Sequence, residues 1–193
     1  MHLTRFLVEH GADVATQNKR GSTALHEASR WAYEDLARFL VEHGADAAAQ
    51  DKRGSTPLHE ASQSGSVDLA RFLVEHGADA GARNKNGWAP LHDASMHNHV
   101  DLASFLVDRG ADTAAQNERG LTPLHLASEM GHTNLARFLI EHGADAAAQD
   151  ADGSTSLDRA RDNGHLELAL FLVKRDVDTA AEDTIRIQQP TKI

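Results

Sequence analysis

The sequence predicts an all-α solenoid, a single row of helix–turn–helix units joined by β-hairpin-like loops. Three observations predict it. The six phenylalanines, Phe6, Phe39, Phe72, Phe105, Phe138 and Phe171, stand 33 residues apart, and there are no others. One phrase returns around them: LARFLVEHGAD from Leu36 and from Leu69, LASFLVDRGAD from Leu102, LARFLIEHGAD from Leu135. A second phrase keeps the same period, DKRGSTPLHEAS from Asp51, NKNGWAPLHDAS from Asn84 and NERGLTPLHLAS from Asn117. Self-similarity at a fixed interval of this length marks stacked supersecondary units and outranks any local propensity.

Each element of the unit follows from its residues in order. The Asp, Asn and Gly of the connecting stretch are turn formers and place a protruding loop before the first helix. Thr56 is suited to cap that helix by accepting a bond from an unpaired amide. Pro57 takes the first helical position, where its missing N–H costs nothing and its fixed φ is helical. Leu58 and Ala61 give a short apolar face, and Gly65 fits the left-handed residue that ends the helix. The second helix spaces Leu69, Phe72 and Leu73 at i, i+3 and i+4, one buried stripe, and Gly77 stops it. Isolated helices shorter than about 12–15 residues are marginal in water. Neighbouring units must therefore stack to bury these faces.

The period divides the chain into one domain, 1–182, with a leading half unit (1–17), units at 18–50, 51–83, 84–116, 117–149 and 150–182, and a polar tail, 183–193, expected to be disordered. Leu3 to Phe6 align with Leu69 to Phe72, so the sequence begins inside a unit. Leu3, Phe6 and Leu7 then lack the polar cap that terminal repeats carry. That is expected of a piece of a longer array; a fused upstream domain or a dimer contact would cover the same residues. The unit from Asp150 departs from the pattern: Ser156 replaces Pro, Asp158 replaces His and Asp176 replaces the helix-ending Gly. Its added charge, at Arg159, Arg161, Asp162, Lys174 and Arg175, suits a capping unit facing water.

The two phrases together, D-x-x-G-x-T-P-L-H-x-A and a second helix closing in G-A-D, resemble the ankyrin repeat over residues 2–182. The wording is similar to the long ankyrin arrays common in filamentous fungi. The resemblance implies that the histidine of each TPLH hydrogen-bonds its own threonine and the neighbouring loop backbone, pairing Thr23–His26, Thr56–His59 and Thr122–His125. Ala89 stands in place of the threonine in the third unit and puts that bond in question at His92. Ala48 and Ala147 stand where many ankyrin repeats carry asparagine, so hydroxylation at that column is not expected. The resemblance also implies that partners bind to the hairpin tips and the exposed face of the first helices, which line a concave side.

Chemistry is read against this periodicity. Eleven of the thirteen histidines fall in three columns (His26, His59, His92, His125; His10, His43, His76, His142; His99, His132, His165), and a residue present in every layer is a structural part. His97 and His99 invite a metal reading, but no third ligand follows at zinc spacing. The acids form columns too, Asp13 to Asp145 and Glu9 to Glu141, whereas acid–base catalysis needs two differently tuned groups in one pocket. No phosphate-cradling glycine loop or nucleophile elbow occurs. Cysteine is absent, which removes disulfides and thiolates and fits a reducing compartment, with a cytoplasmic and alternatively nuclear location. A net charge of −10 argues against broad nucleic-acid or anionic-membrane binding, and no apolar run approaches the roughly 20 residues of a bilayer span. Arg38–Glu42, Arg71–Glu75 and Arg137–Glu141 read as weak i,i+4 pairs on a solvated face. The expectation is no enzyme, no cofactor and no metal.

Individuality then lies where the units disagree. The position after the loop glycine is Ser22, Ser55, Trp88, Leu121 and Ser154; the position after the TPLH histidine is Glu27, Glu60, Asp93, Leu126 and Arg159. Before the helix-ending glycine stand Arg30–Trp31, Gln63–Ser64, Met96–His97, Glu129–Met130 and Asp162–Asn163. Trp88, Met96, His97, Leu121, Leu126 and Met130 therefore fall on the surface a partner would meet, in columns that Ser, Gln and Glu fill elsewhere. Tryptophan is favoured at binding hot spots and methionine at adaptable surfaces, with local packing the alternative reading at Trp88 and Leu121. Trp31, beside Tyr33, is a second aromatic spot, although Ala32 in the glycine position favours repacking of a distorted turn there. Lys52, Arg53, Lys85 and Arg119, with Lys19 and Arg20, give the tips a basic fringe, which reads either as ordinary solvation or as steering of an acidic protein partner. The sequence thus points to a non-catalytic protein-binding scaffold centred on Trp88 and Leu121, monomeric unless the uncapped half unit dimerises. The alternative is a structural spacer or sensor segment of a larger protein.

Overall fold

A computed structural model describes residues 2–175; the tail and Asp176 lie outside the described residues. The helices are α1 (His2–Glu9), α2 (Ala24–Arg30), α3 (Glu34–Glu42), α4 (Pro57–Ser64), α5 (Val67–Glu75), α6 (Pro90–Met96), α7 (Val100–Asp108), α8 (Pro123–Glu129), α9 (Thr133–Glu141) and α10 (Ser156–Asp162). A last helix, α11, covers 166–175. Thr56 sits in extended backbone (φ −101°, ψ 166°) ahead of Pro57, and Gly65 closes α4 at φ 79°, the start and stop that those residue types favour. Among the described residues there is no strand, and the connecting loops are tight turns that follow a hairpin path.

The helices form two rows. First helices α2, α4, α6, α8 and α10 pack successively, and each of α2, α4, α6 and α8 lies against the second helix that follows it. First helices meet one another more extensively than second helices do, so the first-helix row is the more tightly packed of the two. Between the rows lies a core of leucine and alanine. Leu25, Leu58, Leu91 and Leu124 from one row, and Leu69, Leu102 and Leu135 with Leu73, Leu106 and Leu139 from the other, are fully buried. Each leucine removed from water stabilises the stack by about 1.5–3 kcal/mol, and no unit alone supplies both sides of that contact.

The outer helices correct one expectation. Among the described residues Arg38, Arg71 and Arg137 make no ion pair with the glutamate four residues on. Each guanidinium instead lies over the phenylalanine of the next unit: Arg5 over Phe39 at 5.2 Å, Arg38 over Phe72 at 4.6 Å, Arg71 over Phe105 at 5.0 Å and Arg137 over Phe171 at 4.1 Å. A cation above an aromatic face is worth about 0.5–1 kcal/mol at an exposed site, so this column is a stitch between units.

Candidate partner-binding face

The tips are built on one turn. The Asp51 carboxylate accepts from the Arg53 and Ser55 amides at 2.8 and 2.9 Å, and Asn18, Asn84, Asn117 and Asp150 do the same in their own units. Consecutive tips are then tied by a single backbone bond, Lys52 N–H to Arg20 carbonyl at 3.0 Å and Lys85 N–H to Arg53 carbonyl at 2.8 Å.

The TPLH histidines lock tips to helices. The Thr56 amide donates to His59 Nδ1 at 3.1 Å, the Thr56 hydroxyl lies 2.9 Å from the same atom, and Nε2 donates to the Trp88 carbonyl of the next unit at 3.0 Å. His26 reaches Ser55 and His125 reaches Ser154 in the same way. The third unit keeps the arrangement without its threonine: the Ala89 amide donates to His92 Nδ1 at 3.1 Å, and Nε2 donates to the Leu121 carbonyl at 3.0 Å. Replacing Thr by Ala removes only a hydroxyl, because the bridge runs through the backbone. The bridge requires a neutral ring, since a proton on Nδ1 would face an N–H. Burial pushes the His92 imidazole down to about 4 and lowers His59 and His125 as well.

The other histidine columns are occupied in kind. His10, His43, His76 and His142 donate to the carbonyl four residues back while packing on their own phenylalanine. His99, His132 and His165 donate to Gln63, Met96 and Glu129 of the preceding unit. His97, exposed at the end of α6, donates from Nδ1 to the Asp93 carbonyl at 2.9 Å. Among the described residues no three His, Asp or Glu side chains converge as a metal site.

The concave strip is uneven. Arg30 grips Glu60 with two bonds, Nε at 2.9 Å and a terminal nitrogen at 2.8 Å, and reaches Glu27 at 3.6 Å. At the far end Arg159 binds Asp150 through Nε at 2.9 Å, with Glu129 at 3.7 Å and Asp152 at 3.6 Å. Beside the Arg30 rung a groove of about 440 Å³ opens across units one to three, its wall formed by Arg30, Glu60, Gln63, Trp88, Asp93 and Met96. Asp93 is only 7% exposed. Burial pushes its carboxyl up to about 7; donors on Trp88 and Gln63 oppose the rise and the Glu60 charge adds to it.

The anticipated site residues fall into three groups. Trp88 and Met96 line the groove, half-buried, with Lys52 and Arg53 at its rim. Lys85, Arg119, His97, Met130 (48% exposed) and Trp31 (63% exposed) are open to solvent, and Tyr33 beside Trp31 is exposed rather than packed into the Ala32 turn. Leu121 and Leu126 do not lie on the surface: each is 2% exposed. Both side chains are covered within the array, so the open surface expected at these two positions is absent. Asp93, with Gln63 and Glu60, belongs to the groove although nothing in its own column of the sequence sets it apart.

A family model described as ankyrin repeats (3 copies) matches residues 1–51, 44–117 and 110–183. No curated protein matches the chain.

Proposed function

This chain belongs to the ankyrin-repeat family, and from that premise we propose that it is a non-catalytic scaffold whose hairpin tips and concave first-helix face hold a protein partner. Repeats of this family generally mediate protein–protein interactions and are typically non-catalytic. The observation that carries the reading is the groove across units one to three, where Trp88 and Met96 stand half-exposed in columns that the second unit fills with Ser55 and Gln63. Packing is served by the small and polar versions, so the large apolar ones answer to something outside the stack. The centre of the site is therefore Trp88 with Met96, not Trp88 with Leu121. A monomer in the cytoplasm or nucleus is part of the same proposal; no helix among the described residues is long and apolar enough to cross a membrane.

Selection from a random-peptide display library tests it. The wild-type chain is expected to enrich related sequences, and the double substitution Trp88→Ser with Met96→Gln to bind them about 30-fold more weakly while still unfolding cooperatively, the loss of one hot spot of about 2 kcal/mol. Unchanged affinity would remove the groove from the site. Failure of the wild-type chain to enrich any family of sequences would favour the spacer reading instead.

A further inference from the structure

Three carboxylates of this face are buried to the same degree, Glu60 at 8%, Asp93 at 7% and Asp150 at 7% exposure. Two carry an arginine: Arg30 on Glu60 and Arg159 on Asp150. Asp93 has no ion pair among the described residues. The reason is positional. Arg30 belongs to the unit before Glu60 and reaches across the interface, and the residue in the same place before Asp93 is Gln63. A neutral amide stands where the repeat geometry would place a cation. Burying a carboxylate without a counter-charge is costly, and this one faces an open groove walled by an indole and a thioether.

Taking the interaction reading as its basis, we propose that this groove receives a single lysine or arginine side chain of an extended segment of the partner protein. Its charge takes the place beside Asp93 that Arg30 takes beside Glu60, and its methylene stem lies against Trp88 and Met96. Trp88 supplies the aromatic face that a cation favours when partly desolvated. The mouth sets the rest of the segment. Arg20, Lys52 and Arg53 line it and repel a polybasic stretch while attracting acids. The matching ligand is one basic anchor flanked by acidic residues, which brings the basic rim and the acidic floor into one pattern.

The display selection, repeated with two further variants, tests this. Peptides enriched by the wild-type chain are expected to carry one Arg or Lys at a fixed register with Asp or Glu around it. Replacing that anchor by norleucine in the synthetic peptide is expected to weaken binding about tenfold or more. The anchor preference should vanish in Asp93→Asn, which keeps the shape of the side chain. It should also vanish in Gln63→Arg, which rebuilds the Arg30–Glu60 arrangement one unit on and fills the place internally. The second variant keeps the test decisive if the first folds poorly. A fixed consensus without a basic residue, or an anchor preference that survives both substitutions, overturns the inference and leaves the scaffold reading standing. No consensus from the wild-type chain overturns both.

Discussion

The second-helix side of the slab and its first-helix strip are built by the same period and obey opposite rules. On the outer side each unit meets the next through the same part, an arginine over a phenylalanine, and repeats within itself a histidine on the carbonyl four residues back, with interruptions at substitutions such as Ser104. On the concave strip each rung differs: an arginine shared by two glutamates, an aspartate with no cation, a buried leucine, an arginine among three acids. A position whose neighbour is another copy of the same unit is held constant by that neighbour. A position that faces outward is released from the constraint, and its chemistry becomes particular to its rung.

The largest expected effect that sharpens this contrast is in pH. A histidine whose pKa is lower folded than unfolded contributes its full stability above the unfolded value, about 6.5, and loses it as pH falls toward the folded value. For His92 that window runs from about 6.5 to about 4 and is worth on the order of 3 kcal/mol, with His59 and His125 adding losses of the same sign. Asp93 works in the opposite direction. Its carboxyl is raised to about 7 from an ordinary value of 3.8, so the folded chain binds that proton first and gains stability as pH falls through the interval. The uneven strip thus masks the acid sensitivity of the even ladder. Asp93→Asn should unmask it, changing the stability difference between variant and wild type by about 4 kcal/mol between pH 8 and pH 4. Urea unfolding at both pH values reads it, and parallel pH profiles for the two chains would contradict the opposition.

The two rungs also predict opposite responses to losing a charge. Arg30→Met strands Glu60, and removing one partner of a buried pair costs about 3–5 kcal/mol when both are fully enclosed. The Arg30 side chain is 27% exposed and that of Glu60 is 10% exposed, so about 2 kcal/mol is expected at pH 7. Asp93→Asn removes a charge that has no ion pair among the described residues, and at the same pH it should leave stability unchanged or raise it. Equal losses at the two sites, by urea midpoint, would mean that Asp93 is balanced after all.

Most of the fold was legible because stacking needs the same residues in every layer, and six phenylalanines at one interval cannot arise from local preference. The site was legible only in part. Trp88 and Met96 stood out by size within their columns. Leu121 and Leu126 stood out in the same way and proved to be buried, because a single column says nothing of what covers it in the stack. Asp93 escaped because it looks ordinary among Glu27 and Glu60. Its peculiarity appears when two columns are read together: Glu27 has Arg30 three residues on, Glu60 has Arg30 one unit back, and Asp93 has Met96 and Gln63 in those places. The burial that makes the missing arginine matter is a property of the stack and is not written in any one unit.

The smallest effect concerns the turn that ends each first helix, where the period is kept in backbone and broken in residue. Gly65, Gly131 and Gly164 hold positive φ there, joined by Asn98 at 61° and Ala32 at 50°. At Gly65 an added Cβ would lie 2.5 Å from the His99 ring, and at Gly131 it would collide with His165. The residue one unit beyond Ala32, in the place of those rings, is Ser66, whose hydroxyl donates to Glu34, so the methyl of Ala32 has room and only backbone strain remains. That strain is about 1 kcal/mol for a non-glycine residue in the left-handed region. Ala32→Gly should therefore stabilise the array by about 1 kcal/mol, a rise of a few degrees in the unfolding midpoint. Gly65→Ala should destabilise it by more than this, since it adds the same strain and displaces His99 from its 3.3 Å bond to the Gln63 carbonyl. Changes of equal size in the two variants would mean that the histidine ring yields at no cost.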